Sequence, residues 1–232
     1  LIVSIIVGIP LGVLSAVYRN SPIDHFSRIL SLIGVSMPVF WLGLVLLLIF
    51  YFKLGWFPEP GRLDIMLIEP QRVTGLLLID SILALDWEVF WDALKHMALP
   101  ATVLGLYGLA GIARIVRSSM LDVLSQEYIK TARIKGLNEF LVLTRHALRN
   151  ALVPAVTVIG LTYGGLLEGS VLTETIFAWP GLGRYLATAF LTLDLNAVVG
   201  GTMLVALTFS LANLVVDLIY ALLNPQITLA EP

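Results

Sequence analysis

The sequence predicts an all-α fold embedded in a membrane, and three observations carry that prediction. Apolar residues fill 58% of the 232 positions and charged residues only 13%, about half the charged share of an ordinary soluble domain. The apolar residues gather into five runs close to the roughly 20 residues that a helix needs to cross a bilayer core. The charges between the runs are sorted by sign. With no cysteine in the chain, disulfides and thiolate metal sites are excluded.

In order, the runs are Leu1–Tyr18, Ile29–Phe52, Met97–Ala113 (extendable to Val116), Ala151–Thr173 and Leu195–Leu223. Pro10, Pro38, Pro100 and Pro154 lie inside four of them. Membrane helices tolerate prolines because neighbouring helices satisfy the backbone groups that are freed. Glu168 interrupts the fourth run and Asp217 the fifth. Asp217 is expected to pair with a basic group near the inner end of its span. The whole chain, 1–232, reads as one helical domain.

Sign sorting gives the topology. Residues 114–150 carry Arg114, Arg117, Lys130, Arg133, Lys135, Arg145 and Arg149 against Asp122, Glu127 and Glu139. Residues 53–95 reverse the balance, with Lys53, Arg62, Arg72 and Lys95 against seven acidic residues. The positive-inside rule places 114–150 and Arg19–Arg28 in the cytoplasm, 53–95 and 174–194 outside, and the C-terminus inside. Leu1 then lies outside. The chain opens LIVSIIVGIP, with no initiator Met and no basic stretch, so the reading expects an upstream helix and six spans in the full protein.

The outer segment 53–95 begins irregularly at Trp56, Pro58, Pro60 and Gly61. Its second half has helical apolar spacing, with Trp87 and Trp91 four residues apart, and predicts one or two short interfacial helices. Asp80, Asp86, Glu88 and Asp92 exclude a span there. The segment Ile176–Leu193 starts with a Trp179-Pro180-Gly181 turn, with Pro at an early helical position. Phe177, Trp179, Tyr185 and Phe190 then mark an interfacial helix, either an aromatic-belt anchor or an outer docking ridge.

The inner segment 117–150 is the most informative. Met120, Leu121, Leu124, Tyr128 and Ala132 recur at helical spacing while Asp122, Gln126, Lys130 and Arg133 face elsewhere. Gly136 is placed as the left-handed residue ending that helix. Asn138 and Glu139 read as the cap and first turn of a second helix running towards Pro154. Spacing alone leaves two readings open: an amphipathic helix on the anionic inner leaflet, or a stiff knob gripped by a partner. The fourth run carries Gly160-x-x-x-Gly164 and Gly165-x-x-x-Gly169, a spacing that lets another helix approach closely and reads first as packing. Glu168 and Glu174 are ionisable groups at the outer end of that run, which makes them functional candidates. Glu174 is read more simply as an anchor of the outer turn. His25, His96 and His146 have no second His or Cys at ligand spacing, so no metal site is expected.

EYIKTARIKGL at 127–137, RHALRNALVP at 145–154 and TETIFAWPGLGR at 173–184 together resemble the inner-membrane permease subunits of dipeptide, oligopeptide and nickel ABC importers. More narrowly the chain is similar to the first of the two permeases, the dipeptide-permease type, from GIPLGVLSAV to LLNPQI. The resemblance implies the type I importer transmembrane fold, a prokaryotic inner-membrane location, and import of short peptides by alternating access. It implies an ATPase-coupling role for Glu127, Tyr128, Lys130, Thr131, Ala132, Arg133, Lys135 and Gly136. It also implies an outer gate or binding-protein docking role for Glu174, Trp179, Pro180, Gly181 and Gly183. The broader family pattern has Glu-Ala-Ala, three residues, then Gly. Here Lys130, Thr131 and Ala132 occupy the three positions and Gly136 is kept, which moves the expected contact to the Thr131–Gly136 tip.

The implied partners are a second homologous permease, two ABC ATPase subunits, an extracytoplasmic solute-binding protein and the lipid bilayer, with no nucleic acid. The chain has no GxxxxGK[ST] phosphate loop, so it is not the ATPase; ATP and Mg belong to partner subunits, and no cofactor is expected here. A nickel, haem or other solute importer of the same family remains open. So do an ion-coupled secondary transporter using Glu168 or Glu174, and a lipid-bound scaffold.

Overall fold

The computed structural model describes residues 1–223, without the side chains of 168, 169 and 220–223. The described residues form helices joined by turns, with no strand among them. In chain order the helices are α1 (Ile2–Val17), α2 (Pro22–Ser36), α3 (Val39–Leu46, continued as a π-helical turn Leu47–Lys53), α4 (Leu77–Leu83) and α5 (Trp87–Leu124). They continue with α6 (Glu127–Ile134), α7 (Glu139–Leu141), a π-helical turn Val142–Leu148, α8 (Arg149–Ile176), α9 (Leu182–Leu191) and α10 (Leu195–Leu223).

Three of the expected runs sit in helices long and apolar enough to cross a membrane: Trp87–Leu124, Glu139–Leu167 and Leu195–Ile219. The first run forms the shorter apolar helix Ile2–Val17. The run Ile29–Phe52 is not one helix. It divides at Met37-Pro38, with Pro38 capping α3 at φ −59° and ψ 133°. Proline disfavours helical geometry in the residue before it, so Met37 ends α2. Pro10, Pro100 and Pro154 stay inside continuous helices.

Helix α5 also corrects two sequence boundaries. It starts at Trp87, so Trp87 and Trp91 belong to its first turns, and among the described residues of 53–95 only α4 is a separate short helix. It ends at Leu124, so Arg114 and Arg117 are helical residues of a span and not loop charges.

The fold divides into two compact units. The first comprises Leu1–Ser36, Gly105–Leu166 and the part of α10 after Met203. Its core is Ala16, Ile112, Val116, Met120, Ile129, Ala132, Val142, Ala147, Ala151 and Ala155. Lipid is as apolar as leucine, so helices in a membrane associate through close packing more than through water release. Small residues set that closeness. A Cβ at Gly12 would fall 2.7 Å from the Ala113 carbonyl oxygen, and one at Gly34 would fall 2.8 Å from Ala110 Cβ. In α8, Gly160 lies against Val216 and Gly164 against Phe209 of α10, where a Cβ would come within 2.8 Å and 2.6 Å. The glycine spacing therefore serves packing; Gly169 is outside the described side chains.

One polar cluster ties this unit together. The Asp24 carboxylate has no solvent exposure and accepts from Arg117 Nε at 2.7 Å and Nη2 at 3.0 Å. It also accepts from Ser15 Oγ at 2.6 Å and from the Asn20 backbone N–H at 2.9 Å. Asn20 turns the chain between α1 and α2 at φ +62°, a conformation that asparagine tolerates better than most residues. Three helices thus meet on one carboxylate. Asp217, by contrast, is exposed and makes no ion pair among the described residues, against the sequence expectation.

The second unit comprises Met37–Leu104 and Leu167–Met203. Leu99, Val103 and Phe177 form its buried centre, flanked by Val39, Leu42, Phe50 and Phe57. Phe177 is therefore a core residue, not a belt anchor. In the 53–95 segment the buried carboxylate of Asp80 accepts from the Thr74 hydroxyl and N–H, each at 2.7 Å, and from the Gly75 N–H at 3.0 Å. Those bonds favour the ionised form and hold its pKa below the usual carboxylate value.

Gly12→Ala should lower stability by about 1–3 kcal/mol through overpacking. Gly111→Ala, where the nearest atom lies 3.9 Å away, should gain up to about 1 kcal/mol of helix propensity. Melting temperatures in detergent measure both. Asp24→Ala should cost about 3 kcal/mol, because it strands the Arg117 charge, and Asp24→Asn with Arg117→Met should recover part of that loss. For Asp80 the folded pKa lies below the unfolded one, so its contribution is whole above about pH 4 and disappears as pH falls through the folded value. Proteolysis of the 72–80 segment should therefore begin only in acid for the wild type, and already at neutral pH for Asp80→Asn.

Candidate functional site

Helix α5 gives way to α6 at Ser125-Gln126, and that break resets the helical phase. Ile129, fully buried, becomes the residue of α6 that enters the core, joined by Ala132. Tyr128 instead stands 43% exposed, its hydroxyl accepting from Asn150 Nδ2 at 2.8 Å. The stripe expected from Met120 through Tyr128 to Ala132 is therefore not continuous, because a single helix does not run through it.

Past Ile134 the chain reverses as anticipated. Gly136 adopts φ +77°, its N–H bonds the Arg133 carbonyl at 2.9 Å, and the Leu137 N–H reaches the Ala132 carbonyl at 3.3 Å. This pair of bonds is a Schellman termination, which needs a left-handed residue at the position Gly136 occupies. The Asn138 side chain then accepts from the Phe140 N–H at 2.9 Å and opens α7. Across the corner, Arg133 Nη2 and Nε meet the Glu139 carboxylate at 2.6 Å and 3.1 Å. The fork is bidentate, a geometry that fixes orientation as well as distance. The π-helical turn Val142–Leu148 follows, and Val142 and Ala147 bury beside Ile129 in the core of the first unit.

The expected coupling residues divide by exposure. Glu127, Lys130, Thr131, Arg133, Lys135 and Gly136 face outward with Tyr128, whereas Ala132 faces the core and anchors the helix from within. Lys130 is held by Glu127 at 2.7 Å, an exposed pair of the kind worth about 0–1 kcal/mol. Sequence reasoning passed over the apolar residues of the corner: Ile134 is 85% exposed and Phe140 74%. These two side chains flank the Gly136 turn, one on each side of it. The signal was available as apolar residues breaking the polar face beside Gly136.

The 173–184 motif is built around Glu174. Its carboxylate accepts the Arg184 backbone N–H at 2.9 Å and so caps α9 from the end of α8. Gly181 and Gly183 make room for this arrangement. A Cβ at Gly181 would overlap the Glu174 carboxylate, and one at Gly183 would lie 2.6 Å from Val171 Cα. Pro180 precedes the helix, and Gly181 is its cap, so the proline sits one step earlier than the sequence suggested. Arg184 Nη1 donates to the Ala178 carbonyl at 2.8 Å and closes the turn around the half-buried Trp179. Glu174 is thus engaged as a structural cap. Glu168, the other acidic candidate, has its side chain outside the described residues.

The chain resembles known proteins along almost its whole length. It is 48% identical over 227 residues to the probable D,D-dipeptide transport system permease protein DdpB of Escherichia coli (strain K12), covering 98% of this chain and 67% of that protein. It is 50% identical to the di/tripeptide transport system permease protein DppB of Pseudomonas aeruginosa (strain UCBPP-PA14), covering 95% of this chain and 65% of that one. Against the peptide transport system permease protein SapB of Salmonella typhimurium (strain LT2) the identity is 39%, with 96% and 70% covered. The chain spans about two thirds of the length of these relatives. The family model described as binding-protein-dependent transport system inner membrane component matches residues 8–229. A multi-pass helical chain, the capped Gly136 corner and the Glu174-centred turn all fall inside that match, and the chain belongs to the family of binding-protein-dependent transport system inner-membrane components.

Proposed function

We propose that this chain is the permease subunit of an ATP-driven importer that carries short peptides across the inner membrane by alternating access. The named functions of its relatives support the substrate class. The observation that supports the mechanism is the locally bonded α6–Gly136–α7 corner, at which Ile134 and Phe140 are exposed. In this reading the partner is an ATPase subunit, and ATP with Mg acts there and not on this chain. Two such ATPases, a second homologous permease and an extracytoplasmic solute-binding protein complete the machine.

The excess of Lys and Arg in 125–150 supports a cytoplasmic corner, a cytoplasmic C-terminus and an outer Trp179–Gly183 turn. ATP-driven closure has to be carried into the membrane helices by a segment that does not bend. The Schellman bonds and the Arg133–Glu139 fork supply that stiffness, and the core around Ile129 and Val142 links the corner to α5 and α8. The Glu174-capped turn serves as the docking ridge for the binding protein. Glu174 capping α9 leaves its carboxylate engaged, which weighs against an ion-coupled role for that residue.

Deleting Lys130–Gly136 should leave a chain that inserts in the membrane but neither co-purifies with the ATPase nor supports ATP-coupled peptide uptake. Ile134→Asp with Phe140→Asp should weaken ATPase association by at least about tenfold, as loss of buried apolar anchors does. Lys130→Gln should change it little. Normal uptake in the deletion variant would refute the coupling assignment.

A further inference from the structure

Helices α2 and α5 run antiparallel within the first unit: Asp24 meets Arg117 near one end, and Gly34 packs on Ala110 and Leu106 further along. Between them lies a groove of about 380 Å³. Its polar walls are Ser27, Arg28 and Ser31 from α2 and Arg114, Arg117 and Ser118 from α5. We propose that this groove binds the phosphate headgroup of an anionic phospholipid. Placing that lipid in the inner leaflet rests on the orientation proposed above.

Charge is the first argument. Three guanidinium groups stand at the groove, and among the described residues only one carboxylate, Asp24, answers them. Two positive charges are left over. Arg117 is committed to Asp24, and Arg28 lies 3.7 Å from it at the rim. Arg114 has no hydrogen bond or ion pair among the described residues. Guanidinium groups bind phosphate oxygens through paired parallel donors, and basic pockets between membrane helices on the cytoplasmic side suit anionic headgroups.

The hydroxyls are the second argument. Ser and Thr in a helix commonly bond back to the carbonyl four residues earlier, and Thr102, Thr144 and Ser210 do so here. Ser27, Ser31 and Ser118 do not: their hydroxyls take no partner among the described residues. Ser27 and Ser31 are nevertheless only 2% and 8% exposed. Neither of these hydroxyl oxygens is closed off from solvent, so each opens onto the groove it lines.

The third argument separates a lipid from a free anion. Leu32 and Val35 continue the α2 wall and are well exposed. At 1.5 Å per residue, Val35 lies about 10 Å along the helix from Arg28, towards the membrane interior. A charged end and an apolar end at that separation fit a headgroup with its acyl chain, whereas inorganic phosphate would use only the charged end.

The test uses the full-length protein in its native complex, reconstituted in vesicles of phosphatidylcholine with phosphatidylglycerol, then extracted and read by native mass spectrometry for retained lipid. Selective retention of phosphatidylglycerol is expected. Arg28→Gln with Arg114→Gln, which spares the Asp24–Arg117 pair, should reduce it about tenfold. Ser31→Phe, which fills the groove without removing charge, should reduce it too and carries the test if the double variant fails to fold. Excess inorganic phosphate should not displace the lipid. Unchanged retention in a folded variant overturns the proposal; so does full displacement by phosphate, which marks a free-anion site. Protection of the groove by the second permease without bound lipid marks a protein interface and overturns it as well. Lipid retention does not depend on transport, so retention without ATP-coupled uptake would sink the importer reading and leave this site standing.

Discussion

A carboxylate without water needs a full set of donors, and Asp24 draws them from two other helices and a turn. Ser15 comes from α1, the Asn20 N–H from the turn that follows, and the Arg117 fork from α5. Removing any one leaves charge or lone pairs unanswered where solvent does not reach, so the arrangement is closer to all-or-none than a set of apolar contacts would be. The bidentate fork also fixes the rotation of α5 about its axis. With that rotation set, Ala113 and Val116 face Gly12, and Ile112 faces Gly8. Polar specification comes first in this unit, and close packing follows from it.

The packing that follows is of a kind suited to lipid surroundings. Gly8, Gly12, Gly34, Gly160 and Gly164 each bring a helix backbone against a neighbour, trading side-chain bulk for many short-range contacts. The Gly136 corner works on a different principle. There Ile129, Val142 and Ala147 are withdrawn from solvent by an amphipathic arrangement, while local bonds around Gly136 set the shape. The two regimes meet at Met120, which is fully buried and belongs to both α5 and the corner's core.

The sequence showed these features unevenly, for physical reasons. Signals carried by a few consecutive residues were readable: the apolar runs, the left-handed Gly136, the Asn138 cap and the role of Glu174 as an anchor. Phase and partnership were not. The break at Ser125-Gln126 has no strong breaker residue, and it exchanged Tyr128 for Ile129 as the buried residue. Pro38 looked like its tolerated counterparts Pro10, Pro100 and Pro154, yet it divides α2 from α3. Arg117 was counted as a loop charge because its partner, Asp24, lies 93 positions away, and no local pattern announces such a pair. Ile134 and Phe140 escaped notice because their exposure depends on which way the corner turns.

The corner at Gly136 has a kinetic side as well. Its defining bonds join Ala132 to Leu137, Arg133 to Gly136 and Arg133 to Glu139, so none closes a loop of more than six residues. Short closures cost little entropy and form on timescales from nanoseconds to microseconds. During synthesis at about 5–20 residues per second, the corner takes shape long before α10 is made. The corner thus acquires its form while α8 is still being made and before α10 exists, after α1, α2 and α5 have already been synthesised.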